Sequence, residues 1–352
     1  MRTHQCQDKV APPADWRITP GQVWRQSMPK PLTIRNDARW AFIVGAPRCG
    51  TTSLSKYLRE HPQVGFARIK EPHFFAQHDL KALPDHELRE IVQREYLDRY
   101  FRGREDCPLL AEGSVSYLYF PEQVKAVLRL WPSAKFVVAV RNPLQMIPSL
   151  HQRLIHNGDE NERNFERAWN LVPERRRGRS IPARCADPRL LDYWEIGLLG
   201  KHVERFLAEI GRERCFVSVF DDLAKDPASQ YRSLLDFLDL EDDKRSDFRA
   251  NRESKGVKLI WLQRLLMRPP KRAIKVLASQ NYQERFEVEK PPKPIAERVL
   301  KLRKHLLEWN QALARRPDID AGLLADMKDR FRDDIALLSR VLGRDLKHWI
   351  DG

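Results

Sequence analysis

Gly45-Ala46-Pro47-Arg48-Cys49-Gly50-Thr51-Thr52-Ser53 is the stretch of this sequence with the plainest chemistry. Two glycines followed by three hydroxyl residues make a loop whose backbone N–H groups can wrap a phosphate at the mouth of a helix. The spacing from Gly45 to Gly50 equals that of a nucleotide-binding P-loop, yet Thr51 stands where an NTPase carries its phosphate-binding lysine. The cation sits inside the loop instead, at Arg48. Such a segment predicts anion binding with a guanidinium to neutralise charge, and it weakens an ATP-hydrolysing reading.

Other groups downstream carry related chemistry. Lys70-Glu71-Pro72-His73-Phe74-Phe75 sets a carboxylate beside two aromatic residues. Partial desolvation there would raise the Glu71 pKa toward the range in which a carboxylate takes a proton from a hydroxyl or an amine. His73 is a second candidate, either to hold an acceptor or to act as the base. Arg141 closes the apolar run 137–140, and Ser149 follows eight residues later. Eight helical residues make just over two turns, so the two side chains can converge if the bend between them allows it. Ser254-Lys255-Gly256 adds a short basic loop signal.

Positioning these groups requires a strand over 40–44 and a helix over 51–59, where Leu54, Tyr57 and Leu58 recur at helical spacing. Strands at 109–112, 135–140 and 215–220 alternate with helices at 121–130, 143–156 and 198–210. That alternation predicts an α/β fold, a parallel β-sheet flanked by helices, with ligands at the carboxyl ends of the strands. Residues 1–36 read as an irregular N-terminal arm, 37–256 as the α/β domain, and 257–352 as a basic helical C-terminal extension. Amphipathic stretches in the extension run over 259–279, 295–315 and 323–342. An inserted region between 157 and 189 bears Arg175, Arg176, Arg177 and Arg179, which read as a frame for an anionic or carbohydrate acceptor.

A composition of 42% hydrophobic and 32% charged residues over 352 positions belongs to a folded chain with a sizeable core, not a disordered one. The formal charge of +14 draws anionic molecules without choosing among nucleic acid, membrane and a phosphorylated cofactor. Cys6, Cys49, Cys107, Cys185 and Cys215 are scattered without CxxC or Cys/His spacing, so neither a disulfide framework nor a zinc site is expected. With no signal-like apolar core and no run near ~18 apolar residues, the chain reads as soluble and cytoplasmic.

Taken in order, the motifs resemble those of the sulfotransferases that use 3'-phosphoadenosine-5'-phosphosulfate. The run GAPRCGTTSL resembles their 5'-phosphosulfate loop, and Val137-Val138-Ala139-Val140-Arg141-Asn142-Pro143 with Ser149 resembles their 3'-phosphate-binding strand and helix. The Lys-Glu-Pro-His-Phe-Phe segment is similar to the KExxFF segment of the group that includes the heparan-sulfate enzymes, whose glutamate is the catalytic base. Ser254-Lys255-Gly256 resembles the loop that closes over the 3'-phosphate. The resemblance implies a P-loop-type three-layer α/β/α fold and sulfuryl transfer to a hydroxyl or amine, leaving 3',5'-adenosine bisphosphate and requiring no metal. Arg48, Cys49, Gly50, Thr51, Thr52 and Ser53 would hold the 5'-phosphosulfate, with Arg48 at the bridging oxygen. Arg141, Ser149, Lys255 and Gly256 would hold the 3'-phosphate, and Glu71, with Arg48 and His73, would carry the chemistry.

Glu112-Gly113-Ser114 stands where the heparan-sulfate enzymes often carry Glu-Lys followed by Ser or Thr, so the contacts of that lysine do not transfer. The acceptor, a small molecule or carbohydrate, and the oligomeric state are left open. A P-loop nucleotide kinase or hydrolase is the alternative enzyme, with Asp221 and Asp222 as its magnesium-holding pair. A basic nucleic-acid-binding protein is the alternative of a different class; no nucleic-acid partner is expected.

Overall fold

The computed structural model describes residues 39–249, 255–269, 294–313 and 319–351. The arm expected over 1–36 therefore lies outside the described residues. Strands β1 (Arg39–Gly45), β2 (Val64–Phe66), β3 (Leu109–Gly113), β4 (Lys135–Val140) and β5 (Cys215–Val219) form one sheet in the order β2-β3-β1-β4-β5. Every pairing in it is parallel. Trp40 to Val44 and Phe136 to Val140 are continuously buried, which is why these central strands are unbroken apolar runs without alternation.

From β1 the chain builds first toward β3 and β2, then crosses to β4 and β5 on the other side. The strand order thus reverses between β1 and β4, which opens a crevice at their carboxyl ends. The register of this pair slips between Ile43 and Gly45, just where the glycine loop leaves the sheet. Under β1 lies an aromatic cluster in which Trp40 stacks on Trp131 at 3.9 Å and Phe42 on Phe136 at 5.5 Å. Phe75 meets Phe42 edge-on at 6.1 Å, so the segment following Glu71 is pinned into the core.

The main helices are Thr51–Glu60, Pro143–Asn157 and Leu199–Ile210, within a residue or two of their expected limits. The helix expected at 121–130 is two short ones, Pro121–Val124 and Ala126–Leu130. Strand β2 went unpredicted because three residues carry too little periodicity to register.

The C-terminal region is built into the domain. Helix Ala321–Leu342 buries Leu323, Met327, Phe331, Ile335 and Leu338 in the same core as the sheet. The Asp334 carboxylate on it accepts the Gly200 and Lys201 N–H groups at 2.7 and 2.9 Å, capping helix Leu199–Ile210. Strand β6 (Lys255–Val257) pairs antiparallel with β7 (Gln311–Leu313), so the boundary drawn at 256/257 runs through a strand, and the helix expected over 295–315 ends at Trp309. Helix Ile260–Met267 is the described part of the stretch at 259–279. No described helix is long and apolar enough to cross a membrane, and the described cysteines are free thiols.

The arginine run corrects the sequence reading. Arg175 is buried and pairs with the buried Glu160 at 2.8 Å, where Tyr193 Oη donates to the second carboxylate oxygen at 2.7 Å. Arg176 pairs with Asp192 at 2.7 Å, while Arg177 and Arg179 both face Glu174. Folding of the helices Phe165–Asn170 and Val172–Arg176 thus takes Arg175 into the interior and leaves Arg176, Arg177 and Arg179 at the surface beside acidic partners, so the run is not a bare cationic frame.

Candidate functional site

The glycine loop leaves β1 and enters helix Thr51–Glu60 through Gly50, whose φ of 87° suits a residue without Cβ. A methyl group there would meet Leu223 Cδ2 at 2.6 Å, so the loop is held against the segment that follows β5. No side chain caps this helix, which leaves its first N–H groups facing the crevice as an anion site. Thr51 and Cys49 are buried; burial pushes the Cys49 thiol well up, so it serves as packing rather than as a nucleophile.

Arg48 takes a left-handed φ of 64° and donates from Nε to Ser149 Oγ at 2.9 Å. Arg141, at the end of β4, donates to the Arg48 carbonyl at 3.3 Å and to Gln145 Oε1 at 3.1 Å. Its guanidinium lies 4.2 Å from the centroid of the Phe220 ring, just beyond β5. Two local features mark the helix that carries Ser149. Asn142 caps it by accepting the Leu144 N–H at 2.9 Å, and Pro148, inside the helix and beside Ser149, leaves the Leu144 carbonyl without its usual donor. The two expected phosphate elements thus abut across the β1 and β4 ends. Burial, then Arg153 and Arg141, push the Arg48 pKa down. A cluster of cations that repel one another is a site that gains from an anion. Sequence reasoning missed Arg153, whose signal was its position one helical turn beyond Ser149.

On the other side of the loop, Lys70 Nζ donates to Thr52 Oγ1 at 2.8 Å and lies 3.3 Å from Glu71 Oε1. His73 Nε2 is 3.7 Å from Glu71 Oε2. Glu71 and His73 have φ of 60° and 55°, so with Arg48 three of the candidate residues occupy a conformation that costs non-glycine residues about 1–3 kcal/mol each.

The Glu71 carboxyl overturns one expectation. Desolvation raises its pKa, as anticipated, but the His73 imidazole and the Lys70 ammonium beside it outweigh that and hold the group down at about 2. Phe74 and Phe75 are sunk in the aromatic core, where they anchor the segment. The carboxyl that burial does raise is Glu112, pushed up to about 7 at the end of β3 against hydrogen bonds from Tyr117 and Ser114.

Of the remaining candidates, Ser254 lies outside the described residues. Lys255 and Gly256 are in strand β6, not in a loop, because β7 supplies a pairing partner; β6 packs against the helix that carries Ser149. Asp221 accepts Trp349 Nε1 at 2.7 Å and His348 Nε2 at 3.2 Å, and Asp222 takes Arg344 at 2.8 Å. Both carboxylates are committed to the C-terminal segment, which removes the magnesium pair that a kinase reading needed.

The sulfotransferase family model matches residues 41–244, more than half of the chain. This chain belongs to the sulfotransferase family. Among its curated relatives, heparan sulfate glucosamine 3-O-sulfotransferase 3B1 of Mus musculus is 26% identical over 204 residues, covering 57% of this chain and 46% of the relative. The human protein of that name is 27% identical over 205 residues, with coverage of 57% and 46%. The match therefore spans about half of the length of these curated relatives. Human carbohydrate sulfotransferase 15 is 53% identical over a short stretch of 36 residues, 10% of this chain and 6% of that one. A solved sulfotransferase from Alicyclobacillus acidocaldarius shares the fold, with a TM-score of 0.58 and 23% identity over 88% of this chain and 97% of that one. Within this sulfotransferase-family chain the glycine loop, the Lys70 to His73 segment and the Arg141 to Ser149 element all fall inside the matched residues.

Proposed function

We propose that the protein transfers a sulfuryl group from 3'-phosphoadenosine-5'-phosphosulfate to a hydroxyl or amine of an acceptor, with a carbohydrate as the favoured class. The observation that carries this reading is the junction of Arg48, Arg141 and Ser149 at the β1 and β4 ends, on the same glycine loop whose Thr52 anchors the Lys70–Glu71 pair. When bound, the donor supplies an activated sulfur whose bond to the bridging phosphate oxygen breaks as the acceptor oxygen or nitrogen attacks. The acceptor proton goes to Glu71, and 3',5'-adenosine bisphosphate leaves.

The chain's own groups divide the work. N–H groups of residues 49–52, the Ser53 hydroxyl and the Arg48 guanidinium would face the charge that develops on the leaving phosphate, a task that rewards donors already fixed in place. Arg141 and Ser149, with Lys255 and Gly256 alongside, hold the second phosphate. Glu71, held as the anion beside Lys70 and the His73 ring, is ready to accept a proton but is a weak base while both groups hold it. The favoured acceptor class is supported by the relatives' printed names, which are those of heparan sulfate and carbohydrate sulfotransferases. The cytoplasm is the proposed compartment, supported by the scattered free thiols.

Calorimetry with 3',5'-adenosine bisphosphate against ATP with magnesium tests the donor: binding of the bisphosphate with ATP at least tenfold weaker is expected, and preference for ATP overturns the reading. A radiolabelled phosphosulfate screen over glycan, lipid and small-metabolite acceptors then identifies the class.

A further inference from the structure

The turn that follows β3 grips His73 twice. Ser114 Oγ accepts the His73 backbone N–H at 2.9 Å and donates to Glu112 Oε2 at 2.9 Å, and Glu112 is fully buried. Two residues on, Ser116 Oγ lies 2.7 Å from His73 Nδ1, on the opposite side of the ring from the Nε2 that faces Glu71. Gly113, between Glu112 and Ser114, is a tight position: a Cβ there would meet Ser55 Oγ at 2.8 Å, so that hydroxyl would have to move. The position at which related enzymes were expected to carry a lysine is in this chain a glycine packed against the helix that follows the glycine loop.

We propose that Ser116 is a positioning residue for Glu71, acting through His73, with the Glu112–Ser114 pair as the anchor that holds the His73 backbone beneath it. The proposal rests on the sulfotransferase reading for the role of Glu71, but not for the geometry. A neutral imidazole carries its proton on one nitrogen, and the partner of the other nitrogen decides which. With the Ser116 hydroxyl donating to Nδ1, the proton sits on Nε2 and points at Glu71 Oε2. One carboxylate oxygen is then held by His73 while the other faces Lys70 and the loop. Without the hydroxyl, the ring is free to protonate Nδ1 or to rotate, and Glu71 loses the 3.7 Å imidazole contact that leads the lowering of its pKa. The anchor matters because Glu71 and His73 both hold left-handed backbone conformations, which persist only where surrounding bonds over-determine them. The charged groups facing this ring and carboxylate are Lys70 on the same segment, Glu112 beneath on β3, and Arg48 across the loop.

The test is made on the full chain with Ser116→Ala and Ser116→Thr, without any acceptor. Nitrogen-15 spectra of the histidine rings, with His73 assigned from His73→Ala, are expected to show the Nε2–H form in the wild type and its loss in Ser116→Ala, with Ser116→Thr restoring it. In parallel, the Glu71 carboxyl, assigned from Glu71→Gln and followed by carbon-13 titration, is expected to move up from about 2 by one unit or more in Ser116→Ala only. Affinity for 3',5'-adenosine bisphosphate should stay within twofold in both variants. An unchanged ring form and an unchanged Glu71 titration in a folded Ser116→Ala overturn the proposal. Should Ser116→Ala fail to fold, Ser116→Cys, a poorer donor of similar size, takes its place with the same readouts. A wild type that does not bind the bisphosphate sinks the sulfotransferase reading instead, and leaves the ring measurement standing.

Discussion

At the scale of single residues, the site is a set of charges placed so that each modifies its neighbour. Lys70 and His73 make Glu71 an anion at any ordinary pH, and Arg153 and Arg141 make Arg48 a crowded cation. For Glu71→Gln, turnover is expected to fall by at least a hundredfold, within the span of general-base contributions, while bisphosphate affinity holds within about twofold. Near-normal turnover in that variant would remove Glu71 from the mechanism. The sign of its effect on stability also follows. Because its folded pKa lies below the ordinary value of 4.5, the stabilisation is complete above that value and disappears as pH falls toward about 2. Arg48, Glu71 and Arg141 were singled out as candidates from motif order; Ser114 and Ser116 were not placed beside His73, since nothing in the chain says which serine meets which histidine.

Among the elements, the strongest local commitment is the buried Arg175–Glu160 pair beneath helices Phe165–Asn170 and Val172–Arg176. Replacing Arg175 by Met leaves Glu160 buried without its cation, with Tyr193 as its remaining side-chain partner in the hydrogen-bond network described above, and is expected to cost about 3–5 kcal/mol, read as a shift of the urea midpoint. A shift below about 1 kcal/mol would mean that the pair is not formed as described. The glycine loop is a second such element. Gly50→Ala puts a Cβ at a φ of 87° and against Leu223, so bisphosphate binding should weaken at least tenfold along with a loss of stability. Element types were readable because Trp40 to Val44 and Phe136 to Val140 are buried runs and the helices are amphipathic. Strand β2 and the β6–β7 ribbon were not, being three residues each and defined by partners distant in sequence.

Over the whole molecule, the C-terminal segment braces the site from behind. Trp349 donates from its indole to Asp221 and accepts the Asn142 side-chain amide at its carbonyl at 3.0 Å, beside Arg141. Arg344 ties Asp222, and the short helix holding both aspartates also carries Phe220 and Leu223, which back Arg141 and Gly50. Deleting residues 344–352 is therefore expected to lower the melting temperature and bisphosphate affinity together. Affinity that stayed at the wild-type level would show the brace to be dispensable.

The sequence by itself determined the α/β alternation, the glycine loop between strand and helix with a cation at Arg48 and none at Thr51, and the family. These are properties of short contiguous stretches, where glycine spacing and apolar periodicity act locally. Tertiary structure decided which charges find which partners: Arg175 turns inward to Glu160, Arg176 and Arg177 pair at the surface with Asp192 and Glu174, and Asp221 and Asp222 are taken by a segment more than a hundred residues away. It also decided the state of Glu71, because a pKa is the balance between desolvation and neighbouring charge, and folding alone sets the distances at which both act.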